Sequence, residues 1–344
     1  MTRVTRRSVL QSLGSVALGA PVLADRLSGT ALASALTPLK IQIGWIPNVE
    51  YCAHWIGIEK GLFRQAGLDV SVSPGGPNAP DPLVMVAAGD AQVGYTSWLP
   101  FLDAVAKGND YVLFAAVFQS SPLGIISLKK RPILTAKDIL GCRILAQGAN
   151  ERTSIQATLA LAGLKPDDWT MVPAGFSPEP LLSNDADGYT GFATNQIITL
   201  ETMGLRQGRD FFFRSFYDLG FKTYAAMAFC SRRYLDANRP LAVRYVKALV
   251  EACKENEKDP AYGAGLTVDK YGSDYGLDLA QQVRQNQLQI PFIHPGMRPG
   301  FKFLSMDRRV MASDMYAAAR AAGRTSLPDI DHVADFSIAE EAQS

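Results

Sequence analysis

The stretch Leu39-Lys40-Ile41-Gln42-Ile43-Gly44 alternates apolar and polar residues, which is the pattern of a β-strand with one buried face. A helix is predicted over Tyr51–Gln65, and Leu68–Val72 follows it as a second strand. Strand and helix keep alternating through the predicted strands Ala91–Tyr95 and Tyr111–Phe118. This spacing is typical of βαβ units, so the sequence predicts an α/β fold with a mostly parallel sheet.

The same alternation repeats further along the chain, from a strand at Ile125–Leu128 to another at Tyr224–Cys230. Long amphipathic helices take over from Ala237. We therefore predict two α/β lobes, with a helical C-terminal cap on lobe 1. The expected segments are residues 39–126 for the first part of lobe 1, 127–223 for lobe 2, and 224–344 for the return to lobe 1 with the C-terminal helices.

The first residues have the features of an export signal. Arg6 and Arg7 precede an uncharged apolar run from Val9 to Leu23, and the small residues of Ala31–Ala35 provide a cleavage site. Paired arginines at this position favour the twin-arginine route. A membrane anchor is the alternative, but the run is shorter than the roughly 18–20 residues of a spanning helix. Residues 1–33 are therefore predicted to be a signal peptide, and the mature protein to be periplasmic.

Composition and charge exclude several classes of function. The 344 residues carry 34 basic and 33 acidic side chains, a net charge of +1, so no basic surface for nucleic acid is expected. The four cysteines contain no C-x-x-C pair, and buried free thiols are expected. A single disulfide is the alternative. Three dispersed histidines argue against a metal site. Hydrolase, metalloprotease and P-loop signatures are missing from the sequence, so neither catalytic residues nor a cofactor is predicted.

Aromatic and neutral polar residues recur in loops that follow predicted strands. In open α/β sheets, ligands bind beyond the carboxyl ends of the strands. Rings that stack and amides that form hydrogen bonds suit a planar, mostly uncharged ligand. The alternative is that the tryptophans are core residues and the asparagines form turns. The candidate ligand-binding residues are Trp45, Asn48, Tyr51, Ser97, Trp98, Gln119, Gln147, Tyr189, Asn195 and Gln196.

Several short blocks give the chain a resemblance to a known family. The segment Trp45–Asn48, then Glu59–Phe63 and Gly67–Val70, resembles the opening of solute-binding proteins related to thiamine-pyrimidine biosynthesis proteins. Those proteins serve ABC importers for sulfonates, pyrimidines and flavin-like compounds. The resemblance covers most of the chain from Leu39 to about Asp259. It implies the type II periplasmic-binding fold, with two lobes, two hinge strands and a ligand cleft between them.

The resemblance also implies roles for particular residues. Trp45 and Asn48 match a W-x-P-N motif whose tryptophan and asparagine are expected to touch the ligand. A second motif, N-E-P, reads Asn195-Gln196-Ile197 here, so an amide replaces the carboxylate. Tyr51 stands where relatives often carry histidine. A neutral amide predicts a ligand with both donors and acceptors, such as an oxo-substituted ring.

The leading hypothesis is a monomeric binding protein that captures a small planar solute by lobe closure and delivers it to an ABC permease in the inner membrane. The solute is expected to be a pyrimidine-like or flavin-like heterocycle rather than a sulfonate. One alternative is an enzyme, either an exported hydrolase or a thiamine-pyrimidine synthase, which consumes its own histidine and holds pyridoxal phosphate on a lysine. Another is a periplasmic domain that senses the same kind of ligand.

Overall fold

The computed structural model describes residues 35–76, 79–175, 177–295 and 299–344. The signal peptide expected at residues 1–33 lies outside these ranges. Within them, no helix combines the length and apolar character that crossing a membrane requires.

The strands of the described residues are numbered in chain order. They are β1 (Thr37–Gln42), β2 (Leu68–Ser73), β3 (Val93–Thr96), β4 (Tyr111–Phe118), β5 (Leu123–Leu128), β6 (Arg143–Ala146), β7 (Thr170–Pro173), β8 (Gly188–Phe192), β9 (Phe211–Ser215) and β10 (Ala225–Ser231).

The α-helices are numbered in the same way. They are α1 (Cys52–Glu59), α2 (Leu62–Gln65), α3 (Pro82–Ala88), α4 (Trp98–Ala106), α5 (Ala149–Leu161), α6 (Glu179–Leu182), α7 (Gln196–Thr202), α8 (Arg232–Lys258), α9 (Pro260–Leu266), α10 (Leu279–Ile293), α11 (Arg308–Val310), α12 (Tyr316–Ala321), α13 (Ile330–Val333) and α14 (Ser337–Glu341).

The strands form two five-stranded sheets, the first with the order β2-β1-β3-β10-β4 and the second with β7-β6-β8-β5-β9. Four of the eight neighbouring pairs run parallel, and the other four are antiparallel, since β10 is antiparallel to β3 and β4, and β5 is antiparallel to β8 and β9. The chain enters β5 and β10 from the other sheet without a crossover helix. Parallel pairing would need such a helix, so these two strands pair antiparallel. The α/β class is confirmed, and the sheets are mixed rather than uniformly parallel.

The chain passes between the sheets twice, at residues 119–122 and at residues 216–224. The strand β5 belongs entirely to the second sheet. The first passage therefore precedes Leu123, whereas the sequence analysis expected it at the end of lobe 1, near Ile126. Hydrophobic alternation marks a strand but carries no signal for the sheet that receives it, which explains the displaced boundary.

Two predicted helices are interrupted. The helix expected over Tyr51–Gln65 is a 3-10 turn at Val49–Tyr51 followed by α1 and α2. Among the long helices expected after Ala237, a π-helical segment, Met311–Met315, lies between α11 and α12. The carbonyl of Met315 accepts a hydrogen bond from the Trp98 indole at 2.8 Å, so a tertiary contact lies at this irregular turn.

The hydrophobic core joins the two sheets. One cluster of buried residues contains Leu113 of the first sheet, Ile144 of the second, and Met315 from the C-terminal region. The helix α12 also packs against α5, which follows the second sheet's β6. The C-terminal helices therefore contact both halves of the molecule. The four cysteines are buried and free, as expected from the sequence.

Candidate ligand-binding cleft

A cleft of about 450 Å³ is lined by residues that follow strands of both sheets. The helices α4 and α5 begin at this cleft, where Ser97 and Gly148 are their respective N-caps. Seven of the ten candidate residues line it, namely Trp45, Asn48, Tyr51, Ser97, Gln147, Asn195 and Gln196. Their shared position agrees with the expectation that ligands bind beyond strand ends. Ligand contact by these residues stays a prediction.

The other three candidates lie outside this cleft. Trp98 is buried and donates its indole N–H to the Met315 carbonyl. Gln119 donates its side-chain N–H groups to the carbonyls of Ala116 and Ser305, both at 3.0 Å. Tyr189 is fully buried and donates its hydroxyl to Gly175 at 2.7 Å. These side chains bond to the protein itself, and we remove them from the candidate site.

Trp45 is held at the cleft by a close backbone contact. The Gly75 N–H donates to the Trp45 carbonyl at 2.9 Å. A Cβ at position 75 would lie 2.3 Å from the Ile43 carbonyl oxygen and 2.6 Å from the Trp45 nitrogen. Only glycine permits this approach, so the Pro74-Gly75-Gly76 loop fixes the backbone that carries the ring. The side chain is half-buried and lines the cleft.

The turn after Trp45 is anchored from outside by α10. The Asn48 side-chain oxygen accepts the Glu50 N–H at 3.0 Å and caps the 3-10 turn. Gln282 accepts the Val49 N–H at 3.0 Å, and Gln289 donates to the Val49 carbonyl at 2.8 Å. The residues that face the cleft from this turn are therefore positioned by two buried side chains of a distant helix.

A buried set of amides continues this anchor along α10, and we call it the amide ladder: Asn256, Gln282, Asn286 and Gln289. Asn256 and Asn286 exchange two hydrogen bonds, at 2.7 and 2.8 Å. Asn286 also donates to the Pro260 carbonyl and accepts from Gln289, both at 2.8 Å. The Gln289 oxygen, by contrast with these paired atoms, is buried without a partner among the described residues. The ladder ties α8, α9 and α10 to the turn that carries Glu50.

Gln196 is fixed in a similar way on the opposite side of the cleft. Its oxygen accepts the Phe192 N–H at 2.9 Å, so its amide group cannot be reversed without losing that bond. A Cβ at Gly191 would lie 2.8 Å from the same oxygen, which explains the glycine there. Gln147, by contrast, uses both ends of its amide on Thr190, at 2.8 and 3.0 Å, and has less to offer a ligand.

The ionisable carboxyl side chains that line the cleft make it acidic. Glu50 and Asp81 line it next to the first sheet, and Glu151 lines it from the first turn of α5. No lysine, arginine or histidine occurs among the described residues that line it. One oxygen of the Asp81 carboxylate already accepts a hydrogen bond, because it caps α3 by accepting the Leu83 N–H at 2.7 Å. Such a lining favours neutral or cationic molecules over anions.

Glu50 has the most perturbed carboxyl group of the cleft. Burial raises its pKa to about 7, and a hydrogen bond with the Tyr51 side chain opposes that rise only in part. Burial and the nearby Glu50 carboxylate raise the pKa of the Tyr51 hydroxyl well above its usual value. Tyr51 therefore stays protonated at physiological pH, whereas Glu50 titrates there. Perturbed carboxyl groups of this kind concentrate at functional sites.

Two residues that line the cleft, Glu50 and Gln285, were not among the candidates drawn from the sequence. Glu50 lies between two residues that were selected, Asn48 and Tyr51, so its position was a usable signal. The polar residues of α10 at 282, 285, 286 and 289 recur with the spacing of a buried helical face. Amides on such a face predict internal hydrogen bonding, because unpaired amides are costly to bury.

Metal binding has no support in this part of the molecule. The described residues contain no group of three or more His, Cys, Asp or Glu side chains arranged to hold an ion. His54 is buried and contacts the Tyr245 hydroxyl at 2.9 Å, and burial lowers its pKa to about 4. It is therefore a neutral packed residue beneath the cleft.

Two mixed α/β sheets with two connecting passages and a cleft lined from both define a periplasmic-binding-protein fold. Escherichia coli SsuA, the periplasmic aliphatic sulphonate binding protein, shares this fold with a TM-score of 0.64 and 16% identity, over 86% of this chain and 91% of that protein. The chain belongs to the NMT1/THI5-like family, whose model matches residues 48–262.

Curated relatives carry two kinds of name. A Schizosaccharomyces pombe 4-amino-5-hydroxymethyl-2-methylpyrimidine phosphate synthase is 28% identical over 152 residues, which is 44% of this chain and 43% of that protein. The formylaminopyrimidine-binding protein of Halalkalibacterium halodurans is 21% identical over 260 residues, 74% of this chain and 77% of that protein. The chain spans about half the length of the first two curated relatives, 43% and 54%.

Proposed function

We propose that this protein is the extracytoplasmic solute-binding component of an ABC importer and that it captures a small planar heterocycle by lobe closure. The observation that carries the proposal is the cleft, which receives aromatic and amide side chains from both sheets. A ligand that contacts both sheets stabilises the closed form relative to an open one, because only the closed form makes both sets of contacts. Membership of the NMT1/THI5-like family supports the same function.

The chemistry of the cleft favours a heterocycle over a sulfonate. Trp45 offers a half-buried ring, and Asn48 and Gln196 offer amide N–H groups. A sulfonate carries a full negative charge, and the described lining supplies three carboxyl groups and no cationic side chain. The curated relative named for binding a formylaminopyrimidine supports an amino-substituted ring as the ligand class.

The proposal includes a location and a partner. Export by the twin-arginine route rests on the Arg6–Arg7 pair and the apolar run that follows it. The partner is an ABC permease of the inner membrane, which receives the solute from the closed form. The protein acts as a monomer in this scheme, and the solute binds without a cofactor.

The experiment is native mass spectrometry of protein purified without refolding, followed by small-angle scattering before and after removal of the ligand. We expect a small molecule to co-purify and the radius of gyration to increase when it is removed. The variant Trp45→Ala should lose the molecule and remain folded. Trp169→Ala is the matched control, because Trp169 is half-buried and lies outside the cleft. An unchanged radius with and without the molecule would contradict lobe closure.

A synthase is the second candidate, because two curated relatives bear that name. A lysine-held pyridoxal phosphate does not fit this cleft, since the described lining contains no lysine. Tyr51, rather than a histidine, occupies the turn after Asn48. Absorbance of a pyridine cofactor in purified protein, with consumption of the bound molecule, would favour the enzyme over the binding protein.

A further inference from the structure

The helix α10 contributes one side chain to the cleft, Gln285, and a chain of hydrogen bonds fixes its orientation. The backbone N–H of Val49 can only donate, so the atom of Gln282 that it meets at 3.0 Å is the amide oxygen. The Gln282 nitrogen must therefore lie at the other end, where it donates to Gln285 at 3.2 Å. The Gln285 atom that accepts this bond is its oxygen.

The consequence is an oriented donor at the cleft. Gln285 is only 2% exposed, its oxygen is occupied by Gln282, and its nitrogen has no acceptor among the described residues. The fully buried, unpaired side-chain atoms of the described residues do not include this nitrogen, so the donor is accessible from the cleft that Gln285 lines. A ligand with a carbonyl oxygen or a ring nitrogen would supply the missing acceptor.

The donors of Asn48 and Gln196 show the same arrangement. In both side chains the oxygen accepts a backbone N–H, from Glu50 and Phe192 respectively, and the nitrogen has no acceptor among the described residues. Asn48 is 2% exposed and Gln196 is 7% exposed. We call these two residues and Gln285 the cleft wall. It presents three amide donors whose direction is set by the protein before any ligand arrives.

Glu50 provides the complementary acceptor. It directly follows Val49, the residue that orients Gln282, so the carboxyl group and the Gln285 amide belong to segments that pack on each other. Its hydrogen-bond partner is the Tyr51 side chain, and an ionised carboxylate accepts more bonds than that one. The cleft therefore places one charged acceptor beside a set of neutral donors.

We propose that Glu50 and Gln285 together recognise the amide-like edge of an uncharged, planar heterocycle. The Glu50 carboxylate accepts a hydrogen bond from a ring N–H or an amino group, and the Gln285 nitrogen donates to the adjacent carbonyl oxygen or ring nitrogen. This inference rests on the proposed function and deepens it, because it names the ligand's polar edge and the two residues that select it. It also excludes sulfonates, which offer acceptors alone and would face the Glu50 charge.

The test measures binding of two probes by titration calorimetry at pH 8. Cytosine carries an amino group next to a ring nitrogen, and a ring N–H next to a carbonyl, whereas ethanesulfonate carries only acceptors. The variants are Glu50→Gln and Gln285→Glu, which keep the size of each side chain; the first removes the charge and one accepting oxygen, and the second removes the donor. Gln285→Glu also keeps an oxygen for Gln282. The matched control is Gln287→Glu, which adds the same charge at an exposed position of α10.

We expect the unchanged protein and Gln287→Glu to bind cytosine equally and to bind no ethanesulfonate. Each cleft variant should weaken cytosine binding by about tenfold or more, the scale of a lost hydrogen bond to a charged or buried group. The inference is overturned if cytosine does not bind, if both variants bind it like the unchanged protein, or if ethanesulfonate binds more tightly. Ethanesulfonate that binds and reduces the radius of gyration would refute this inference and the heterocycle as ligand class, and would leave solute capture by lobe closure intact.

Discussion

The amide ladder and the cleft wall use the same kind of side chain for opposite purposes. In the ladder, Asn256 and Asn286 satisfy one another, and Asn286 also bonds to Gln289 and Pro260. In the cleft wall, the oxygens of Asn48, Gln196 and Gln285 are bonded internally, and their nitrogens have no acceptor among the described residues.

The difference separates structural amides from amides that are available to a ligand. A buried amide that is paired at both ends stabilises the fold, and removal of one partner leaves the other unpaired. An amide that is paired at one end is oriented by the protein but still requires an acceptor from outside. Apart from the unpaired Gln289 oxygen, the number of internal bonds, rather than residue type or burial, distinguishes the two groups among the described residues.

The largest expected effect comes from breaking the ladder. Asn286→Leu should lower the free energy of unfolding by about 3 kcal/mol, because Asn256, Gln289 and the Pro260 carbonyl each lose a buried partner. Urea denaturation measures this change. The matched variant in the cleft wall, Gln285→Leu, should cost about 1 kcal/mol, because only the buried Gln282 nitrogen loses its acceptor. Equal losses in the two variants would remove the distinction between ladder and wall.

The next effect depends on pH and comes from Glu50. Burial raises the folded-state pKa from 4.5 to about 7, so the folded protein favours the protonated carboxyl group. Stability is therefore lost as the pH rises from about 4.5 through 7, and the carboxylate destabilises the fold above that window. We expect Glu50→Gln to stabilise the ligand-free protein by about 2 kcal/mol at pH 8, and by less than about 0.5 kcal/mol at pH 5.

Thermal unfolding of both proteins at the two pH values measures this effect. The ionisable neighbours that line the cleft, or the smaller cavity that Glu50 also lines, are Tyr51, Tyr95, Asp81, Glu151, Cys52, His54, Cys253 and Glu257. Burial keeps the tyrosines and cysteines of this set protonated and His54 neutral between pH 5 and 8. A difference between the proteins that is the same at both pH values would show that Glu50 does not titrate in this window.

The smallest effect on stability is expected at Gln196. In Gln196→Glu, a carboxylate oxygen still accepts the Phe192 N–H, so unfolding should change by less than about 1 kcal/mol. The free N–H₂ group becomes an acceptor, and the cleft gains a fourth carboxyl group. Affinity should fall about tenfold for ligands with a carbonyl at this position, and it should rise for ligands with an amino group there. Calorimetry with cytosine and uracil would measure the ranking, and an unchanged order would contradict the role of Gln196.

The sequence predicted the parts of the molecule that local patterns determine. Strand and helix alternation is a local signal, and it identified the α/β class and the strand ends that supply Trp45, Asn48 and Gln196. The passage between the sheets before Leu123 was misplaced, because strand pairing is decided by contacts far apart in the chain.

Trp98 lies outside the cleft, and Gln285 was missed, for the same physical reason. Trp98 resembled a ligand platform in sequence, but its indole bonds to Met315, 217 positions away. Gln285 could not be recognised without the packing of α10 on the turn at Val49. A side chain's availability depends on which of its atoms are already bonded, and that information appears only in the folded structure.

The helix α10 also reaches across the molecule with its first turn. Gln281 donates to Asn195 and Thr199 of the α7 region at 3.2 and 3.3 Å. The helix α10, which carries Gln285, is therefore also bonded to the helix that follows β8 of the second sheet. Any motion that separates α7 from α10 must break these two hydrogen bonds, at a cost of about 1–2 kcal/mol. Under the proposed lobe closure, these two bonds would add to the ligand's own contacts in favouring the closed form.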